Sequence, residues 1–164
     1  MPIQAGDTLP AATFQLIDGE EVRSVGTADV FDGRRVLLFG VPGAFTPTCS
    51  ARHLPGFVEH LERFRARGVE VACMAVNDAF VMRAWAASAG VPPALRMIAD
   101  GNAALTHALG LEMDASGFGM GERCRRFALY AEDGVVRFVN VEEPGEFRVS
   151  AAEHVLAQLP AQDA

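Results

Sequence analysis

The sequence contains little of what secreted, membrane-spanning or nucleic-acid-binding proteins depend on. Only three of its 164 residues are cysteine, an odd and small number that does not suit a disulfide scaffold. No apolar stretch approaches the roughly 18 residues of a membrane helix, and the first residues lack the cationic start and apolar run of a secretory signal. Basic residues number 14 and acidic residues 21, a net charge of −7 that argues against binding nucleic-acid phosphates. We therefore expect a cytoplasmic protein without membrane or nucleic-acid partners.

What the sequence does contain is enough apolar residues for a core, since 50% are hydrophobic and 21% are charged. The length is typical of one domain, which we place at residues 1–164. Apolar runs and helical periodicity alternate along the chain. They predict strands at 13–17, 34–40, 69–76, 96–99, 125–131 and 135–141, helices at 47–67, 78–89, 102–109 and 150–159, and a loop at 110–122. This order predicts an α/β fold with a mixed central sheet flanked by helices.

Cys49 is placed at the start of the first long helix, directly after a buried strand. In open α/β sheets, ligands bind at this end of the strands. The free N–H groups of a helix start favour a thiolate, although a cysteine here can also be a small apolar filler. A thiol is mostly ionised at pH 7 if its pKa falls from about 8.5 to about 6, which requires roughly 3.4 kcal/mol. A helix end contributes about 0.3–1 kcal/mol, and at most about 2 kcal/mol. A cation must therefore face the sulfur if Cys49 is a nucleophile.

The segment 40–50 reads GVPGAFTPTCS and contains the spacing Pro42-x-x-x-Thr46-x-x-Cys49. This spacing resembles the active-site signature of the peroxiredoxins, and with the following HLPGF it is similar to their type II, peroxiredoxin-5-like branch. The likeness continues in the family's order through residues 76–82, 117–121, 126–128 and 133–136 and covers nearly the whole chain. The resemblance implies a thioredoxin-like fold, a homodimer, and a thiol-dependent peroxidase that reduces hydrogen peroxide and organic hydroperoxides.

The same resemblance assigns the site residues. Cys49 would be the peroxidatic cysteine, whose thiolate attacks a peroxide oxygen and becomes a sulfenic acid. Thr46 would bind the peroxide through its hydroxyl, with Gly43 beside it, and Pro42 would shield the sulfur from water. Arg126 would be the required cation, although Arg123 and Arg125 are close competitors. No metal, haem, flavin or nicotinamide is implied, because the sulfur supplies both electrons.

The sequence leaves several candidates for the thiol that resolves the sulfenic acid. Some type II-like members carry a resolving cysteine before the last helix, where residues 146–150 of this chain contain none. Cys73 occupies a position used by other members, but it lies in an apolar strand and can be an inert core thiol. Cys124 is two residues before Arg126 and, if this segment is strand, projects from the same face. The remaining hypothesis is one-cysteine turnover, in which glutathione, glutaredoxin or thioredoxin attacks Cys49 directly.

Two rival functions use the same cysteine. A peroxide sensor would relay a disulfide from Cys49 to a partner protein instead of turning over. A hydrolase would pair Cys49 with His53, four residues later on the same helix, although a structural role for His53 is the simpler interpretation. The four histidines make no metal-like spacing. Pro55 removes a backbone donor inside the helix pattern, and we expect it to bend the helix and let its first turn loosen.

Overall fold

The computed structural model describes residues 2–19 and 21–160. Each predicted strand and helix is present, with boundaries that differ by a few residues, and further short elements join them. The strands are β1 Thr13–Asp18, β2 Glu21–Gly26, β3 Arg35–Gly40, β4 Glu70–Ala75, β5 Leu95–Ala99, β6 Glu112–Asp114, β7 Glu122–Cys124, β8 Phe127–Glu132 and β9 Val135–Val141. The helices are α1 Thr27–Phe31, α2 Leu54–Glu59, α3 Leu61–Arg65, α4 Ala79–Ser88, α5 Ala104–Leu109 and α6 Ala152–Gln158, with a π turn at Cys49–His53 and a 3-10 turn at Ser116–Phe118.

Within the described residues, seven strands form one mixed sheet in the order β2-β1-β5-β4-β3-β8-β9. The central strands β3, β4 and β5 are parallel. Their residues are almost all buried, as expected for strands covered on both faces. Strands β1 and β8 join this parallel core in the antiparallel direction. The carboxyl ends of β3 and β4 therefore share one edge, and the Cys49 segment follows β3 there.

Helices cover both faces of the sheet, and the sheet separates two hydrophobic cores. The first core contains Phe57 of α2, Trp85 of α4 and Val155 of α6. The second contains Phe31 of α1 and Leu105 of α5. None of the helices described is long and apolar enough to cross a bilayer.

Two segments differ from the sequence prediction. The segment 110–122, predicted as loop, contains β6 and the start of β7, which pair with each other. The strand predicted at 125–131 begins only at Phe127, so Arg125 and Arg126 lie between β7 and β8. Strand β2 and helix α1 were not predicted, because β2 is largely exposed and lacks an apolar alternation. Its strand structure comes from pairing with β1 along its whole length.

The helix predicted at 47–67 is interrupted twice. It is helical at residues 47–48 and then forms the π turn, in which the Leu54 N–H donates to the Cys49 carbonyl. It breaks again at His60, where ψ is 7°. Pro55 explains the first interruption, because a proline has no N–H and its ring clashes with the carbonyl four residues earlier. The wider π turn immediately precedes this proline, and π segments frequently occur at functional sites.

Candidate active site

The segment between β3 and the π turn is held in place by its neighbours at the carboxyl edge of the sheet. The Val41 N–H donates to the Met74 carbonyl at 3.0 Å, and the Ala44 N–H donates to Oδ1 of Asn77 at 2.9 Å. Phe45 adopts a left-handed conformation with φ of 64°, which costs a non-glycine residue about 1–2 kcal/mol. Strain of this kind persists where the surroundings fix the backbone, and it clusters at active sites.

Cys49 is the first residue of the π turn and is wholly buried. Nη2 of Arg126 donates to its sulfur at 3.1 Å. A permanently charged guanidinium at this distance stabilises a thiolate much more than a neutral thiol. The structure thus brings a cation to Cys49 and selects Arg126 from the three candidate arginines. Arg123 instead donates to the carbonyls of Met120 and Pro42.

Arg126 is oriented by His53. Nη1 of the guanidinium lies 2.9 Å from Nδ1 of His53, and Nε2 of the same ring lies 3.1 Å from the Ser150 carbonyl. Because Nη1 of Arg126 can only donate and the Ser150 carbonyl can only accept, the imidazole carries its proton on Nε2 and accepts at Nδ1. This pattern requires a neutral imidazole.

The surroundings of His53 keep the ring neutral. The side chain is wholly buried and packs against Phe39, Phe57 and Phe147. Burial, and then the charge of Arg126, lower the pKa of His53 to about 3, although the hydrogen bond to Ser150 opposes the shift. Both ring nitrogens are engaged, so this arrangement leaves no free nitrogen to act as the base of a Cys49–His53 hydrolase.

Thr46, Gly43 and Pro42 belong to the segment that joins β3 to Cys49. The Thr46 hydroxyl donates to the Gly43 carbonyl at 2.6 Å, which leaves its oxygen lone pairs free to accept a hydrogen bond from a ligand. The Thr46 carbonyl accepts from the Ser50 N–H at the start of the helix. The Thr46 side chain is not the cap, because the hydroxyl points back to Gly43. Gly43 is buried, and a Cβ there would lie 2.9 Å from Nη1 of Arg123.

The other two cysteines lie in different surroundings. Cys73 belongs to the same core as Cys49, is fully buried, and has its pKa raised well above the usual value by burial and then by the Cys49 charge. Cys124 belongs to the opposite core and donates to the Val41 carbonyl at 3.1 Å. The prediction that Cys124 and Arg126 project from one strand face was wrong, because Arg126 lies outside both strands.

Two contacts of this site were not found from the sequence. Phe147 packs on His53 with ring centroids 5.0 Å apart and places its ring 5.9 Å from the Arg126 guanidinium carbon. The Ser150 carbonyl fixes the His53 tautomer. Neither residue lies near Cys49 in the sequence, and a backbone carbonyl leaves no signal in residue type. Among the described residues, no group of three or more His, Cys, Asp or Glu side chains is arranged to bind a metal.

The fold and the site together define a protein of the thioredoxin-like class with a buried cysteine facing an arginine. Residues 4–156 match the Redoxin family. The chain is 51% identical to peroxiredoxin-2E-2, chloroplastic, of Oryza sativa subsp. japonica, covering 96% of this chain and 72% of that protein. It is 44% identical to peroxiredoxin-2B of Arabidopsis thaliana, covering 96% and 99%. The crystal structure of reduced Prx3 in complex with H2O2 from Vibrio vulnificus superposes with a TM-score of 0.88 at 45% identity, covering 95% and 98%.

The chain belongs to the peroxiredoxins, and the type II, peroxiredoxin-5-like branch fits these relatives. It is a thiol-dependent peroxidase with a thioredoxin-like fold. The resemblance found in the sequence is confirmed at the level of family, fold and reaction class.

Proposed function

We propose that Cys49 is the peroxidatic cysteine and reduces hydrogen peroxide and small organic hydroperoxides. The observation that carries this assignment is the 3.1 Å contact between Nη2 of Arg126 and the Cys49 sulfur. The thiolate attacks the terminal peroxide oxygen, an S–O bond forms, and the O–O bond breaks. Sulfur loses two electrons and becomes a sulfenic acid. The departing alkoxide or hydroxide takes a proton from water.

The surrounding residues act on the two peroxide oxygens. The Thr46 oxygen accepts the peroxide O–H, because its own proton is committed to the Gly43 carbonyl. Arg126 donates to the oxygen on which negative charge develops, a form of electrostatic stabilisation that contributes strongly to catalysis. Pro42 limits the access of water to the sulfur. This reaction requires no metal, flavin, haem or nicotinamide, because the sulfur itself provides the electron pair.

Replacing Cys49 tests this assignment. We expect Cys49→Ser to abolish peroxide consumption, and Cys124→Ser, a matched change in the opposite core, to keep most of it. Consumption is followed with excess thiol present, so that an enzyme uses many equivalents of peroxide while a sensor stops after about one. Full activity in Cys49→Ser would contradict the assignment, and a halt after one equivalent in the unaltered protein would favour the sensor.

We propose one-cysteine turnover, in which glutathione, glutaredoxin or thioredoxin attacks the Cys49 sulfenic acid directly. The burial of Cys73 and Cys124, together with their raised pKa values, supports this proposal, because thiolates and not thiols are the nucleophiles. Cys73 remains the stronger internal alternative, because it shares the Cys49 core.

Mass spectrometry after one equivalent of peroxide decides between these routes. A persistent sulfenic acid, or a mixed disulfide when glutathione is added, supports one-cysteine turnover. A Cys49–Cys73 disulfide, lost in Cys73→Ser, contradicts it. Separate turnover assays with glutathione, glutaredoxin and thioredoxin identify the reductant.

We also propose a homodimer. Three phenylalanines are strongly exposed: Phe45 (53%), Phe80 (77%) and Phe118 (86%). Phe45 and Phe80 belong to segments joined by the hydrogen bond between Ala44 and Asn77. Exposed aromatic side chains are typical of protein interfaces. Phe80→Glu should therefore shift the protein to monomer in analytical ultracentrifugation, and an unchanged mass would contradict this interface.

A further inference from the structure

Residues 142–150, which we call the Glu142 loop, connect β9 to α6. The Glu142 side chain is 4% exposed, and its Oε2 accepts three hydrogen bonds. These come from the Arg148 N–H at 2.7 Å, the Ser150 N–H at 2.9 Å and the Ser150 hydroxyl at 2.6 Å. Although burial raises the pKa of Glu142, the hydrogen bonds from the loop lower it overall. The loop is therefore folded around an ionised carboxylate, which forms no ion pair within the described residues.

This carboxylate belongs to a closed circuit of hydrogen bonds around Arg126. The Glu142 N–H donates to the Arg126 carbonyl at 2.9 Å. The Arg126 guanidinium donates to His53, which donates to the Ser150 carbonyl. Ser150 then donates to the Glu142 carboxylate. The Glu142 loop thus contacts Arg126 twice. Its first residue bonds the Arg126 carbonyl directly, and its last residue, Ser150, bonds the His53 ring that accepts from the guanidinium.

The circuit determines which nitrogen of Arg126 meets the sulfur. Nη1 is occupied by His53, so the planar guanidinium presents Nη2 to Cys49. The Ser150 carbonyl accepts from Nε2–H of His53 and so favours the tautomer and ring orientation in which Nδ1 accepts from Nη1 of Arg126. The position of this carbonyl depends in turn on the two Ser150 hydrogen bonds to Glu142.

We propose that Glu142 is a positioning residue that holds the Arg126 guanidinium on the Cys49 sulfur through Ser150 and His53. The proposal rests on the roles assigned above to Cys49 and Arg126. Glu142 touches neither sulfur nor peroxide, and its effect is to keep Nη2 of Arg126 within hydrogen-bond distance of the Cys49 sulfur.

The chain offers a matched control in Asp100. This carboxylate is 1% exposed and also accepts three hydrogen bonds, from the Leu105 N–H, the Thr106 N–H and the Thr106 hydroxyl. These bonds hold the start of α5, on the sheet face opposite Cys49. Asp100→Asn therefore changes a comparably buried and hydrogen-bonded carboxyl group without touching the circuit.

The decisive measurement is the rate at which iodoacetamide alkylates Cys49 between pH 5 and pH 10, with the site of modification located by peptide mass spectrometry. We expect Glu142→Gln to slow alkylation about tenfold at pH 7 and to leave the limiting rate at high pH unchanged, because only the thiolate reacts. Asp100→Asn should match the unaltered protein throughout. An unchanged profile in Glu142→Gln, or an equal loss in Asp100→Asn, overturns the proposal.

A double variant separates positioning from general damage. If Glu142 acts through Arg126, Glu142→Gln should slow alkylation no further in an Arg126→Met background. An undiminished additional loss there contradicts the proposal. Should Glu142→Gln fail to fold, as judged by circular dichroism, Ser150→Ala provides the test. It removes one of the three hydrogen bonds and should slow alkylation by a factor of about three, and no change would contradict the proposal.

These assays contain no peroxide, so their failure is distinct from failure of the proposed function. If Cys49→Ser still consumes peroxide, the assignment of the peroxidatic cysteine is wrong whatever the alkylation data show. If the unaltered protein is active and Glu142→Gln has its alkylation profile, only the positioning role is lost.

Discussion

Cys49 and Cys124 lie in cores on opposite faces of one sheet, and both are wholly buried. Cys49 receives a hydrogen bond from a guanidinium, whereas Cys124 donates one to the Val41 carbonyl. Burial, and then the charge of Asp100, raise the pKa of Cys124 to about 12. The comparison teaches that burial alone keeps a thiol such as Cys124 protonated, and that the two buried cysteines differ in the cation that faces Cys49.

The largest expected effect is the difference in reactivity between these two cysteines. With a pKa of about 12, roughly one Cys124 in ten thousand is ionised at pH 8. Iodoacetamide should therefore alkylate Cys49 at least about a thousand times faster than Cys124 in the folded protein. Peptide mass spectrometry measures both rates, and urea provides the control, since every cysteine should react once the chain unfolds. Similar rates in the folded state would contradict the comparison.

Removing the Arg126 cation should lower the reactivity of the Cys49 thiol toward that of Cys124. A hydrogen bond to a charged group contributes about 1.5–3 kcal/mol, so Arg126→Met should lower the Cys49 alkylation rate at pH 7 by a factor of about 10–100 and reduce peroxidase activity at least as much. Arg125→Met, one residue away, is the matched control and should stay within about twofold. Equal losses in the two variants would remove Arg126 from its assigned role.

The neutral His53 should make stability depend on pH. The unfolded chain takes up a proton near pH 6.5, while the folded pKa is about 3, so the unfolded state binds more protons between these values. Stability therefore falls as the pH drops, by about 2 kcal/mol from pH 7 to pH 5. Urea unfolding measures the change. Glu132 and Glu142, whose pKa values are lowered, lose their contribution only near and below 4.5.

His53→Gln is the control for this pH dependence. A glutamine can accept from Arg126 and donate to the Ser150 carbonyl, as the neutral imidazole does, but it does not titrate. The unfolding free energy of this variant should change much less between pH 7 and pH 5. A slope equal to that of the unaltered protein would assign the effect to another group.

The smallest expected effect concerns the approach to Cys49. A Cβ at Gly43 would lie 3.2 Å from Cγ2 of Thr46 and 2.9 Å from the flexible end of Arg123. Gly43→Ala should therefore displace the Thr46 hydroxyl slightly and raise the KM for peroxide by a factor of about three, with less effect on kcat. Gly117→Ala, whose Cβ would contact nothing within 4 Å, is the control. Equal kinetics for the two variants would exclude crowding at Gly43.

Local sequence signals predicted much of the fold. The apolar runs of β3 and β4 predicted the central strands, and the strands predicted at 125–131 and 135–141 pair with each other as β8 and β9. The resemblance of the sequence to the peroxiredoxins pointed to Cys49 and Arg126, and the structure places Nη2 of Arg126 3.1 Å from the Cys49 sulfur.

Features that depend on distant partners could not be predicted in this way. Strand β2 is exposed and exists through its pairing with β1. The tautomer of His53 is fixed by a carbonyl 97 residues away. The sequence predicted that Pro55 disturbs the helix, but not that the disturbance takes the form of a π turn at Cys49–His53.

The π turn also affects how an oxidised Cys49 can move. Pro55 donates no hydrogen bond to the preceding turn, whereas the Leu54 N–H of α2 donates to the Cys49 carbonyl. A π turn holds one residue more than an α turn, so exchanging one for the other rotates Cys49 by about 100° about the helix axis while α2 stays in place. We expect the sulfenic acid, uncharged and therefore weakly attracted to Arg126, to swing outward by this rotation toward the reducing thiol. Faster amide hydrogen exchange at residues 50–54 in the oxidised protein would reveal it, and unchanged exchange would contradict it.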